Sequence, residues 1–164
     1  MRPTVLYFVT KFCHLLPETR CWGVKRRLYA FAGIRIGKNV RICSSVTFLG
    51  NGRLSIGDDT WLGPETLVVA SESISIGKCC DIAPRCYIGT GTHEIDPVGP
   101  HSAGKGLGLP VVIGDGCWIC AGSFILPGCS VGRKSIIAAG AVAKGTIPER
   151  QVWGGCPACF LRNL

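Results

Sequence analysis

The stretch from Ile113 to Ala143 reads IGDGCWICAGSFILPGCSVGRKSIIAAGAVA, with an aliphatic residue at every sixth position: Ile113, Ile119, Ile125, Val131, Ile137 and Ala143. A period of six fits neither a helix at about 3.6 residues per turn nor a flat strand at about 2, since either would rotate some of these side chains into water. The chain must turn a corner every six residues. Three short strands then form one triangular coil, and successive coils stack at the parallel-strand spacing of about 4.8 Å.

Toward the N-terminus the register returns as Ile76, Ile82 and Ile88, as Ile56, Leu62 and Val68, and as Ile36, Ile42 and Phe48, with two residues inserted after each triplet. That makes five triplets, a repeat architecture rather than a sandwich or a bundle. Four positions after the aliphatics stand small or β-branched residues: Val40, Val46, Thr60, Thr66, Cys80, Cys86, Thr92, Cys117, Ser123, Cys129, Ser135 and Ala141. They belong beside the corners, where a large side chain would strike the coils above and below. Cys80, Cys86, Cys117 and Cys129 are therefore small hydrophobes in a packing slot. Cys117-x-x-Cys120 and Cys156-x-x-Cys159 have the spacing of zinc half-sites, but Cys117 and Cys120 fall on different steps of the triangle and point apart, so no metal is expected.

Around this register the composition is that of one compact domain: 164 residues, 47% hydrophobic and 17% charged. Gly 23 and Pro 10 come without the period of collagen or the low hydrophobicity of disorder. No apolar run approaches the roughly 20 residues that span a bilayer. The net charge of +8 favours an anionic partner, whether nucleic acid, an acidic membrane surface or a phosphorylated cofactor. The basic residues are scattered and do not interleave with Trp and Tyr, which argues against nucleic acid. Met1 to Leu16 makes a poor signal peptide because Lys11 and His14 interrupt its apolar core, so the eleven cysteines are expected to be reduced thiols in a cytoplasmic protein.

Residues 1–33 read as an N-terminal helical cap and 34–164 as the repeat domain. Val5 to Ala32 is apolar at helical spacing (Leu15, Leu16, Trp22, Leu28, Phe31), is broken by Pro17 and ends at Gly33. Such a segment covers the open end of a coil stack. With Arg20, Lys25, Arg26 and Arg27 it is also basic, and peripheral contact with anionic lipid is the second reading.

Ile88 and Ile113 are 25 residues apart where six would continue the register, so a loop of about residues 94–110 leaves the prism. His93 stands at its start, while His14 falls in the cap and His101 within the Gly-rich loop. Imidazole is the side chain suited to proton transfer near neutral pH.

The hexad ladder, the segments IGTGTHEID (88–96), LPVVIGDGCWICAGSFILPGCSVG (109–132) and AAGAVAKGTIP (138–148), and the ending VWGGCPACFLR (152–162) together resemble the left-handed β-helix hexapeptide acyltransferases. The resemblance covers about residues 34–162 and lies nearest the maltose, galactoside and nodulation-factor O-acetyltransferases. It implies a left-handed parallel β-helix that forms a homotrimer, with acetyl-CoA bound between neighbouring prisms and an acetyl group passed to a saccharide hydroxyl, as in surface-polysaccharide biosynthesis. The family's catalytic base matches His93, and its oxyanion donor matches the backbone N–H of Ala121. Ala121, Ala139 and Gly140 match the small residues along the pantetheine arm. Lys144, one place earlier than usual, and Arg162, in the tail 144–164, are the candidates for the CoA phosphates. On the acceptor side the resemblance suggests Trp118, with Ser71 where the galactoside enzymes carry an Asp, and Glu65 and Glu72 nearby. A γ-type carbonic anhydrase would need three zinc histidines converging between protomers, and with His93 as the only well-placed imidazole the chain does not furnish them. A non-catalytic β-helix scaffold is the alternative, and His93 with its loop argues against it.

Overall fold

The computed structural model describes residues 1–164 as a three-sided parallel β-helix capped by two helices. Helix α1 (Pro3–His14) and helix α2 (Trp22–Phe31) lie over the first coil, α1 against its third strand and α2 against its first two. The coils are β1 (Arg35–Ile36), β2 (Arg41–Ile42) and β3 (Thr47–Leu49); β4 (Leu54–Ile56), β5 (Trp61–Leu62) and β6 (Leu67–Val69); and β7 (Ile74–Ile76), β8 (Asp81–Ile82) and β9 (Tyr87–Gly89). A hairpin of β10 (Gly91–Ile95) and β11 (Ala103–Gly108) follows. The coils then resume with β12 (Val111–Ile113), β13 (Trp118–Ile119) and β14 (Phe124–Ile125), and with β15 (Ser130–Val131), β16 (Ile136–Ile137) and β17 (Val142–Ala143). The chain ends in β18 (Thr146–Ile147), β19 (Gln151–Gly154) and β20 (Cys159–Asn163).

The first strands of the coils form one face, the second strands another and the third strands the last. Register is uniform within each stretch. Partners lie 20 residues apart in the upper coils (Arg35 with Ser55, Leu67 with Tyr87) and 18 apart below the hairpin (Trp118 with Ile136). Across the hairpin Asp81 pairs with Trp118, so the excursion is inserted without disturbing the ladder. The aliphatics of the hexad stack inside: Ile42, Leu62, Ile82, Ile119 and Ile137 are all fully buried.

Eleven of the twelve small corner positions are at most 1% exposed. Their polar atoms bridge coils: Thr60 donates to the Gly77 carbonyl (2.7 Å), Ser135 to Pro148 (2.7 Å) and the Cys117 thiol to Gly132 (3.0 Å). The exception is Thr92, which lies in the hairpin. The buried small residue after Ile88 is Thr90, and beyond the hairpin the buried Val111 lies level with Cys129 of the next coil.

Three further expectations are corrected. The register does not stop at Ala143: β18 and β19 carry a sixth, partial coil whose offset shortens to 16 residues (Ser130 with Thr146, Ile136 with Val152), which hides it from a six-residue search. The excursion is no irregular loop but an antiparallel hairpin in which His93 already sits within the first strand. Lys25 is no surface charge. It is buried, donating to the Pro17 (3.3 Å) and Glu18 (3.0 Å) carbonyls over the Trp22 ring, and burial lowers its pKa.

Candidate active site

Thr90 organises the edge between the third and first faces. Its Oγ1 accepts the N–H groups of Ser71 (2.8 Å) and Glu72 (2.9 Å), and its carbonyl accepts the Leu109 N–H (2.8 Å), so both ends of the hairpin are anchored at one residue. From there β10 and β11 run out antiparallel, with Gly91 opposite Gly108 and His93 opposite Gly106.

Glycine alternates along β11 at 104, 106 and 108, and alternate residues of a strand share a face. That face carries no side chains. A Cβ on Gly106 would lie 3.9 Å from the His93 ring, one on Gly108 3.0 Å from the Glu72 Cβ, and one on Gly104 3.1 Å from the Asp96 Cβ. On β10, a Cβ on Gly91 would stand 3.1 Å from the Ser71 hydroxyl. The bare backbone leaves an open groove of about 480 Å³ lined by Ser71, Glu72, Thr92, His93 and Gly106. The exposed imidazole stands in this groove. At the hairpin tip the Asp96 carboxylate accepts the Val98 and Gly99 N–H groups (2.9 and 2.8 Å), which lowers its pKa and fixes the turn. Beside it Ile95 and Val98 are 87% and 91% exposed.

The acceptor-side candidates divide. Ser71 and Glu72 join His93, though Oε1 of Glu72 is already engaged by Arg53 (3.2 Å) and the Ser73 N–H (3.0 Å). Glu65 does not join them: it sits on the edge between the second and third faces, left-handed at φ 59° and paired with Arg85 (2.8 Å).

That second edge holds the remaining small residues. Its main-chain ladder runs from Pro64 to Pro84 to Ala121 to Ala139, since Pro64 accepts from Arg85, Pro84 from Gly122 and Ala121 from Gly140. Prolines in the upper coils offer no N–H, whereas below the hairpin the N–H of Ala121 donates to no group of the chain. Gly122 and Gly140 adopt φ +68°, and a Cβ on either would meet nothing within 4 Å. The result is an open strip of backbone with one row of unpaired donors. Trp118, three residues before Ala121, projects from the second face between Asp81 and Ile136 and is 52% exposed. Arg162 lies on β20 opposite Val152, at the foot of the same face. Lys144 stands exposed on the hairpin's edge, two coils further along.

Sequence reasoning missed Thr90, Arg53 and Gly106. For Gly106 the alternation of glycines from 104 to 108 was the available signal. Thr90, two residues after Ile88, falls outside the six-residue pattern, and Arg53 gave none.

Residues 110–145 match the bacterial transferase hexapeptide family (six repeats). Over 131 residues, 80% of this chain and 70% of the relative, the sequence is 32% identical to an Escherichia coli (strain K12) protein provisionally named a colanic acid biosynthesis acetyltransferase, WcaF. It is 25% identical over 172 residues to the galactoside O-acetyltransferase of the same strain, covering 94% of this chain and 84% of that one. Among solved structures, the hexapeptide-repeat containing acetyltransferase VCA0836 of Vibrio cholerae, complexed with acetyl coenzyme A, superimposes with a TM-score of 0.81 at 21% identity, over 98% of this chain and 86% of that one.

Proposed function

The chain belongs to the hexapeptide-repeat acetyltransferases, and from that premise we propose that it transfers an acetyl group from acetyl-CoA to a saccharide hydroxyl, with His93 as general base. The observation that carries this reading is the division of the site between two edges of the prism. His93, Ser71 and Glu72 stand on one edge, and the unpaired N–H of Ala121 with its open glycine corners on another, the third face between them. One copy cannot bring both to a single reacting carbonyl. A neighbour packed edge to edge would supply the second wall, which supports a closed ring of identical copies, and the family resemblance supports three of them.

The residues fit the donor in chemistry as well as in place. A thioester arm needs small side chains to approach backbone and N–H groups to receive its oxygens, and the second edge has both. Arg162 at the foot of its face, with Lys144 from a neighbour's hairpin edge, would face phosphates.

In the reaction His93 removes the proton from the acceptor hydroxyl as that oxygen attacks the thioester carbonyl. The Ala121 N–H receives the developing oxyanion, a fixed donor that costs no reorganisation. Collapse breaks the carbon–sulfur bond, and the proton held by His93 goes to the departing thiolate. Ser71 lies beside the imidazole to position the acceptor. The galactoside and colanic acid relatives support a sugar acceptor of the surface-polysaccharide kind.

The test is His93→Ala assayed with acetyl-CoA and a panel of saccharides. A fall in kcat of about 10²–10⁴ is expected, with saturable acetyl-CoA binding retained by calorimetry. Turnover at the wild-type rate would remove His93 from the mechanism.

A further inference from the structure

The charge of this chain is concentrated at one end. Ten of the 18 Lys and Arg residues but one of the ten acids, Glu18, lie within residues 1–57; that segment carries +9 and the remaining chain −1. Glu18 is moreover taken up internally, its carboxylate accepting the Ser45 hydroxyl at 2.7 Å. The basic end is the end closed by α1 and α2.

The same cap exposes apolar surface that its packing does not require. Leu6, Val9, Thr10 and Cys13 of α1 face the first coil and are buried. Tyr7, Phe8, Phe12 and Leu15 share the opposite stripe and are 51–84% exposed. On a helix, positions i, i+1, i+5 and i+8 fall on one side. Lys11 lies within this stripe, its ammonium 5.7 Å from the Tyr7 ring. On α2, Phe31 is 64% exposed with the Arg2 guanidinium 5.8 Å from its ring centroid. Arg2 beside Phe31 and Lys11 beside Tyr7 put positive charge against the exposed rings, and Arg20 and Arg27 of the cap are exposed as well, so the cap is both apolar and basic at its surface.

We propose that this helical end docks on an anionic lipid membrane surface, Phe8, Phe12 and Leu15 entering the headgroup boundary while the basic side chains meet lipid phosphates. What favours an anionic lipid surface is the charge of this end: residues 1–57 carry ten basic side chains against one carboxylate, Glu18, which is already engaged, so no free carboxylate of that segment is left to specify a protein partner's geometry. Each basic side chain near an anionic surface raises partition about fivefold, and one short apolar stripe by itself binds weakly. The two together give reversible attachment. The inference is independent of the acyl-transfer chemistry, because none of these side chains belongs to the hairpin groove or the second edge.

The experiment is co-sedimentation of the full chain with vesicles of phosphatidylcholine alone and of phosphatidylcholine with 30% phosphatidylglycerol. Binding to the anionic vesicles, loss of at least tenfold on neutral vesicles or in high salt, and a similar loss for Phe8→Ser/Phe12→Ser are expected. That variant should keep its circular dichroism and its acetyl transfer. Three outcomes would overturn the proposal. One is no binding to anionic vesicles. Another is binding unaffected by the double substitution, which would mark a general polyanion effect. The third is a smaller mass for the variant in sedimentation equilibrium, which would make the stripe a contact between copies.

Discussion

Cys86, Cys117 and Cys129 show how a repeat position settles a side chain's chemistry. Each is 1% exposed at a corner, and burial pushes its thiol from the ordinary 9.0 up to about 11. These residues hold their protons more tightly in the native than in the unfolded chain. Their contribution to stability is therefore complete below pH 9 and is lost as pH rises toward about 11, at about 1.4 kcal/mol per pH unit for each thiol. Urea midpoints measured from pH 8 to 11 should fall steeply above pH 9. In a thiol titration at pH 8 the exposed Cys21, Cys79, Cys156 and Cys159 should react first, and all eleven only after denaturation. A flat urea midpoint across that range, or fewer than eleven thiols in the denatured chain, would count against the packing-slot account.

At the scale of the element, the edge between the first and second faces sets the stacking. Its corner residues alternate in charge from coil to coil: Lys38, Asp58, Lys78, Asp115, Arg133 and Glu149. Asp58 and Asp115 accept the N–H groups of Lys38 (2.6 Å) and Lys78 (2.9 Å), and Arg133 pairs with Glu149 (2.6 Å). These contacts are exposed and each adds little to stability; skipping a whole coil would set like charges together. The glycine before each of the first five corner residues (Pro148 precedes Glu149) is obligatory for a different reason. A Cβ on Gly57 would stand 2.5 Å from the Lys78 backbone nitrogen. Gly57→Ala should therefore cost about 1–3 kcal/mol of stability, read as a lowered melting temperature, whereas the same exchange at the exposed Gly23, with nothing within 4 Å, should cost nothing. The helical fit at Gly23 even favours alanine.

The whole molecule is where the site is completed. Ala121→Pro places at that corner the residue that coils two and three already carry as Pro64 and Pro84, so the fold should tolerate it while the N–H donor is lost. The expected fall in kcat is about 10²–10³. If His93 and Ala121 of different copies share a site, mixing and refolding His93→Ala with Ala121→Pro should restore activity, since some interfaces then combine two intact halves. Mixtures as inactive as their parents would place the whole site within one chain.

The hexad Ile113 to Ala143 by itself determined the three-sided coil, the buried ladders and the small corners, because a six-residue period has one geometric solution. The spacing of Ile88 and Ile113 likewise marked where the chain departs. What only the tertiary structure decided is what faces what. Thr90, and not Thr92, is the buried residue after Ile88 because the chain leaves the prism as a hairpin from Gly91 onward. Lys25 is buried because its ammonium reaches two carbonyls from a linker eight residues back. Glu65 is carried away from His93 because a triangular coil sends neighbouring corners in different directions. Period follows from local sterics repeated along the chain and is legible in a single sequence. Which edges share a groove depends on contacts between residues 16 to 37 positions apart, which no local pattern encodes.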